Sequence, residues 1–138
     1  MERPKIPTDL EILREIYDRH YQTYVSFSKE SPSRSAKIMV PIDIVEIAKH
    51  FKVDVDIIFG RLYYHLEEKF GFTRSDGSKV HFFALKAGSD IECVNFPLMA
   101  SVLAGLHEER KKHLWAILIA VGSLIIAIVS LIVSALSK

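Results

Sequence analysis

Apolar residues recur along this chain in several rhythms, and each rhythm predicts a different element. Leu10, Leu13, Ile16 or Tyr17, His20 or Tyr21, Tyr24 and Phe27 return every three or four positions, the repeat of one helix face. Thr8-Asp9-Leu10-Glu11 stands just ahead, a capping box in which hydroxyl and carboxylate each take up a free helix-end amide. A first helix is therefore expected from Thr8 to near Lys29, with Ser31-Pro32-Ser33-Arg34-Ser35 as a polar loop after it. Lys37–Val40 reads as a short strand before Pro41. Asp43-Ile44-Val45-Glu46 repeats the capping pattern and opens a second helix with Ile44, Ile47, Ala48 and Phe51 on its apolar face. Lys52-Val53 makes a tight turn, and Asp54 caps a third helix carrying Ile58, Leu62 and Leu66. Phe70-Gly71-Phe72 closes that helix. A hairpin should follow, with strands Phe72–Arg74 and Lys79–Leu85 around Ser75-Asp76-Gly77-Ser78, since Asp-Gly supplies the positive backbone angles of a tight turn. Asn95 caps a last soluble helix that tolerates Pro97 in its first turn and lines up Met99, Val102, Leu103 and Leu106.

The rhythm then stops. Leu114 to Leu136 is apolar or small throughout, without one charged side chain. As a helix this run reaches about 34 Å, against a hydrocarbon core of about 30 Å. Only Ser137 and Lys138 follow it. Arg110, Lys111 and Lys112 sit together on its other side, with Trp115 just inside it, and read as a membrane-interface anchor. Basic residues favour the cytoplasmic side, so the expected arrangement is a single-pass C-terminal tail anchor with the N-terminus cytoplasmic.

Bulk composition hides this. The chain has 138 residues, 25% of them charged, and a formal net charge of +1. All 17 acids and all but one of the 18 bases lie in residues 1–113, so the soluble part is neutral and long enough for one small domain with its own core. Met1-Glu2-Arg3-Pro4-Lys5 has no apolar segment behind it and is not expected to be a signal peptide. A lone cysteine, Cys93, excludes an internal disulfide framework, fits a reducing compartment and reads as a small apolar filler.

Residues 44–72, IVEIAKHFKVDVDIIFGRLYYHLEEKFGF, resemble a winged helix-turn-helix domain. The resemblance rests on Ile47-Ala48, Phe51, Val53, Ile58, Leu62 and Leu66 as an inter-helix core, and on the order helix, strand, helix, turn, helix, hairpin. It covers roughly residues 8–88, and departs from the family at Lys52, where a turn glycine is common. The implied fold class is α+β: a small winged-helix domain at residues 1–94, an amphipathic connecting helix at 95–113 and a transmembrane helix at 114–136.

The resemblance implies DNA contact through the third helix and the wing, but charge argues the other way. Residues 42–72 hold six acids and four bases, and Asp54 and Asp56 stand at the start of the presumed reading helix, where phosphate would be repelled. Arg34, Lys37, Arg61, Tyr64, Arg74 and Lys79 are the residues expected to meet a DNA or protein partner. They make a modest basic rim, not the strongly basic stripe of an avid DNA binder. Tethered oligomers would compensate through avidity.

Small residues within the span are spaced by four, three, four, three and four: Ala116, Ala120, Ser123, Ala127, Ser130 and Ser134. They share one helix stripe, where close backbone approach and hydroxyl hydrogen bonds let helices associate in lipid. Continued backwards, the register meets His113, Glu109, Leu106, Val102 and Met99, so one self-association seam is expected to run from the soluble helix into the span.

No catalytic constellation and no paired metal-ligand spacing stands out among the six histidines and Cys93, so neither an enzyme, a cofactor nor a small-molecule substrate is expected. The favoured reading is a membrane-tethered, self-associating interaction module that presents its cytoplasmic domain to protein or DNA. A membrane-bound transcriptional regulator and an oligomeric membrane-perturbing effector are the alternatives.

Overall fold

A computed structural model of the protein describes residues 3–137; Met1, Glu2 and Lys138, which entered the readings of both termini, lie outside the described residues. It shows an α+β N-terminal domain and a long apolar C-terminal helix. In chain order the elements are α1 (Asp9–Val25), β1 (Met39–Pro41), α2 (Ile44–Phe51) and α3 (Val55–Gly60). A π-helical segment (Arg61–Leu66) then runs into α4 (Glu67–Phe70), followed by β2 (Phe72–Thr73), β3 (Lys79–Val80), β4 (Phe83–Ala87), β5 (Asp90–Asn95) and α5 (Phe96–Leu136).

The caps form where the sequence places them. Thr8 Oγ1 accepts the Glu11 amide at 3.2 Å while Glu11 accepts the Thr8 amide at 2.7 Å. Asp43 accepts the Glu46 amide at 3.0 Å, and Asp54 the Asp56 amide at 2.9 Å. Lys52 ends α2 in the left-handed conformation, φ 55°. The Val53 amide reaches back to Ala48 O and the Lys52 amide to Lys49 O, both at 3.1 Å, so a lysine completes the closing turn that usually favours glycine.

Helix α1 stops at Val25, earlier than its periodicity implies. The cause is Arg34, whose guanidinium turns inward and takes the Thr23 and Tyr24 carbonyls at 3.0 and 3.3 Å, satisfying acceptors a helix end leaves free. The first strand forms two residues later than expected, at Met39–Pro41, and pairs with β5. β1 lies at an edge of the sheet, where Pro41 is tolerated.

The hairpin departs most from expectation. Only Phe72–Thr73 and Lys79–Val80 pair around the Asp76-Gly77 turn. At His81-Phe82 the chain breaks from that ladder, and Phe83–Ala87 forms a second hairpin with Asp90–Asn95. This is the larger sheet, antiparallel and ordered β1-β5-β4. Gly88 makes its turn with φ +63°, and a Cβ there would meet Ser35 at about 2.5 Å, so both conformation and space require glycine.

Helices and sheet share one core, with Ile12, Leu13, Ile16, Ile47, Leu62, Leu66, Phe82, Phe83, Val94, Phe96 and Met99 buried in it. Phe96 stacks on Tyr24 and Tyr17 at centroid distances of 4.7 and 5.4 Å. Cys93 is buried, and desolvation, with help from the Asp90 charge and against Arg34, pushes its thiol up to about 11; it is protonated and unreactive at neutral pH.

Two compact units divide the chain, Met1–Leu103 and Ala104–Lys138. Asn95 caps α5, accepting the Leu98 amide at 3.3 Å. Met99 and Leu103, at the start of α5, belong to the core of the first unit. The expected seam therefore cannot begin at Met99, because the domain already covers that side chain. The second unit is helical to Leu136, with a mean hydropathy of 3.0 in its most apolar stretch and no side-chain burial there. By length and composition this one helix could cross a membrane.

Candidate functional site

Ile58, Leu62 and Leu66 are buried at intervals of four residues. In an α-helix that spacing drifts around the axis, because a turn takes 3.6 residues. The wider π-helical turn over Arg61–Leu66 counters the drift and keeps the three side chains on one line. Its consequence is a pair of adjacent tyrosines on the outer face. Tyr63 stacks on Phe59 at 5.4 Å, and Phe59 meets the edge of Phe83 at 6.1 Å. Tyr64 stands edge-on to Tyr63 at 5.0 Å and is 73% exposed.

Strand β4 faces these tyrosines. One carboxylate holds it there: Glu67 Oε2 accepts the Phe82 and Phe83 amides, both at 2.7 Å, and Oε1 lies 2.7 Å from His81 Nδ1. Gly71 makes room for this, since a Cβ there would come within 2.6 Å of the Glu67 carbonyl and 2.9 Å of its Oε1. β4 is an edge strand of the larger sheet, opposite β1, and Leu85 on it is 46% exposed.

Between tyrosines and strand lies a groove of 480 Å³, whose lining includes Tyr63, Tyr64, Glu67, Glu68, Lys79, His81, Leu85 and Lys86. A second cavity of 360 Å³ lies against β1, β4 and the small hairpin, lined by Arg74, Lys79, His81 and Lys86 among others and by no carboxylate. Lys79, His81, Ala84 and Lys86 line both. The helix wall of the groove carries Tyr63 and Tyr64 with Glu67 and Glu68, and the opposite wall carries Leu85 with Lys79, His81 and Lys86.

The residues read from sequence as partner contacts separate into two groups. Arg74, Lys79 and Tyr64 are exposed and line these cavities. Arg34 is 7% exposed and gives all its bonds to the carbonyls of Thr23, Tyr24, Ala36 and Lys37, so it is structural here. Arg61 is bound to Asp9 at 2.7 Å. His65 joins the same carboxylate at 3.0 Å. Burial opposes the charge on Asp9, yet the hydrogen bonds and charges of Arg61 and His65 prevail and hold its carboxyl below the ordinary value. Lys37 extends over the Tyr24 ring, 5.4 Å from its centroid. Sequence reasoning missed Glu67, Leu85 and Lys86. The signal for them was the Gly88-Ser89 turn between FALKA and DIECVN.

On the second unit Ala116, Ala120, Ser123, Ala127, Ser130 and Ser134 are exposed. The Ser123 and Ser130 hydroxyls donate to the Ile119 and Ile126 carbonyls, both at 2.9 Å, so neither is unsatisfied in an apolar medium. Arg110, Lys111, Lys112 and Trp115 are exposed at the start of the uncharged run. Among the described residues no three His, Cys, Asp or Glu side chains converge as a metal site would need. Comparison with protein-family profiles, with curated proteins and with solved structures finds no match to this chain.

Proposed function

We propose that the protein is a membrane-tethered interaction module that docks a protein partner in the groove between Tyr64 and β4. In this reading Leu114–Leu136 crosses the bilayer, Trp115 and Arg110-Lys111-Lys112 mark the interface, and the domain lies on the cytoplasmic side. Copies associate through Ala116, Ala120, Ser123, Ala127, Ser130 and Ser134.

A winged-helix domain is the fold reading that the topology supports best. β1 lies between α1 and α2 in sequence and pairs with the last strand, β5, leaving β4 outside. The wing is then the β4–β5 hairpin, with β2–β3 inserted before it. One observation favours a protein partner over DNA: the third helix presents Tyr64 and Ile57 to solvent, while its one arginine is held by Asp9. Exposed aromatic and aliphatic side chains beside a groove mark protein interfaces. A membrane-bound DNA-binding regulator is the second reading, favoured by the cation-lined cavity of Arg74, Lys79 and Lys86.

The test is a photoreactive residue at position 64 of the full chain in cell membranes, with the exposed Asp18 position on α1 as control. Protein adducts formed from position 64, not from 18, and lost in Leu85→Glu support the reading. Adducts with nucleic acid, or none, overturn it.

A further inference from the structure

We propose that the cavity against β1, β4 and the small hairpin binds a phosphomonoester, the dianionic end of a small soluble molecule or of a lipid headgroup. The inference stands apart from protein docking in the groove, because Arg74 and Asn95 line this cavity and not the groove. Its volume of 360 Å³ is that of a small-molecule site, about 300–1,000 Å³. Sheet pairing assembles it from distant parts of the chain. Met39 pairs with Asn95, and Ala84 with Cys93, which sets β1, β5 and β4 side by side. The Asn95 amide donates to the Phe82 carbonyl at 2.9 Å and the Phe96 amide to the Ile38 carbonyl at 2.8 Å, so the strand end that carries Asn95 is fixed.

Two independent observations point to an anion. The first is charge. Arg74, Lys79 and Lys86 line the cavity, no carboxylate does, and among the described residues none of the three is ion-paired. By contrast, Lys5, Arg19, Lys49 and Arg61 each hold an acid. Nearby acids are engaged elsewhere: Glu67 holds His81 and two amides, and Asp76 takes the Ser78 amide and hydroxyl. The second is Asn95, which lines the cavity and is 8% exposed. Its Oδ1 is taken by the Leu98 amide at 3.3 Å, leaving the NH2 as its donor end. No buried side-chain donor among the described residues lacks a partner, so this NH2 opens onto the cavity. Lysines that merely guard a sheet edge need neither a concavity nor a donor within it. A phosphomonoester matches both observations, with about −1.5 to −2 charges and three acceptor oxygens. Arginine takes such a group bidentately and lysine as a point charge, while Met39, Val80 and Ala84 give apolar contact to the body that carries it. Duplex DNA fits less well: its phosphates carry one charge each, and the arginine of the third helix is held by Asp9.

Asn95 is the single asparagine of the chain, so its side-chain NH2 gives one unambiguous NMR signal. The full chain, isotope-labelled, is placed in phosphatidylcholine nanodiscs and given phenyl phosphate, phenyl sulfate (the same shape with one charge), or duplex DNA; a further preparation carries phosphatidic acid in the disc. A saturable shift of the Asn95 NH2 with phenyl phosphate supports the proposal with a soluble source, and a shift only in phosphatidic acid discs supports it with a lipid source. Arg74→Ala should weaken the response about tenfold, with the unfolding midpoint unchanged. Asn95→Asp keeps the α5 cap but replaces the donor with an acid, and should abolish binding read at the Lys79 and Lys86 backbone amides. Lys69→Ala removes the same charge outside both cavities and should change nothing. No shift in either phosphate arm, an equal response to phenyl sulfate, indifference to Arg74→Ala or Asn95→Asp, an equal loss in Lys69→Ala, or a response to duplex DNA alone would overturn the proposal. None of these results alters crosslinking from position 64, so the docking reading stands or falls separately.

Discussion

Glu67→Ala is the most informative single perturbation of the site. One oxygen of this carboxylate accepts two backbone amides at 2.7 Å, and the other meets His81 at 2.7 Å. Its side chain is 12% exposed, and Phe82 and Phe83 are fully buried. Truncation leaves two buried donors without an acceptor, each costing about 1–3 kcal/mol. Water entering the vacated space recovers part of this, so a net loss of about 2–4 kcal/mol is expected. Glu67→Gln keeps an oxygen in place and loses only the charge assistance, about 1 kcal/mol. Hydrogen exchange of the full chain in detergent micelles reads this residue by residue. In Glu67→Ala the Phe82 and Phe83 amides should exchange at least about a hundredfold faster, with smaller changes at Ile12–Ile16. Unchanged protection at those two amides, or Gln as damaging as Ala, would refute the idea that this carboxylate fastens β4 to the helix.

Three further outcomes follow from local geometry. Lys52→Gly should stabilise the domain by about 0.5–1 kcal/mol in denaturant unfolding, because it relieves a left-handed lysine while keeping the α2 closing turn. Asp9→Asn should cost about 1–2 kcal/mol at neutral pH. The Asp9 carboxyl is held low in the folded state, so its contribution is complete above the ordinary carboxylate range and is lost as pH falls through the lowered value. The variant's stability should therefore fall less steeply on acidification, as measured by unfolding across pH 2–6 (about the range in which carboxylates titrate). Ala120→Ile with Ala127→Ile should weaken self-association in a membrane reporter; unchanged association would remove the small-residue stripe from the account.

Local signals read well from the chain, and long-range ones did not. The capping box at Thr8 and the caps at Asp43, Asp54 and Asn95 involve partners two or three residues apart, so sequence alone discloses them. The uncharged run is equally local. Arg34 illustrates the opposite case. An arginine in a Ser-Pro loop looks solvent-exposed, and only the fold brings the carbonyls of Thr23 and Tyr24, more than nine residues away, to its guanidinium. Arg61 likewise looks free until α1 brings Asp9 beside it, 52 residues distant in sequence. Lys79–Leu85 reads as one strand because no turn residue interrupts it, but Glu67 captures the Phe82 and Phe83 amides and splits it. The groove exists because of that split, which is why Leu85 and Lys86 escaped sequence reasoning.

The central claim is that the apolar helix lies in a bilayer and holds the domain at its surface, and the chain carries its own probe for this. Trp115 is its single tryptophan and stands one residue inside the uncharged run. The measurement is quenching of its fluorescence for the full chain in vesicles whose lipids carry bromine at defined acyl depths. The account predicts strong quenching by bromine near the headgroup end, weaker quenching by bromine at mid-chain, and little by aqueous iodide. Strong quenching by iodide with none from any brominated lipid would place Trp115 in water and contradict it.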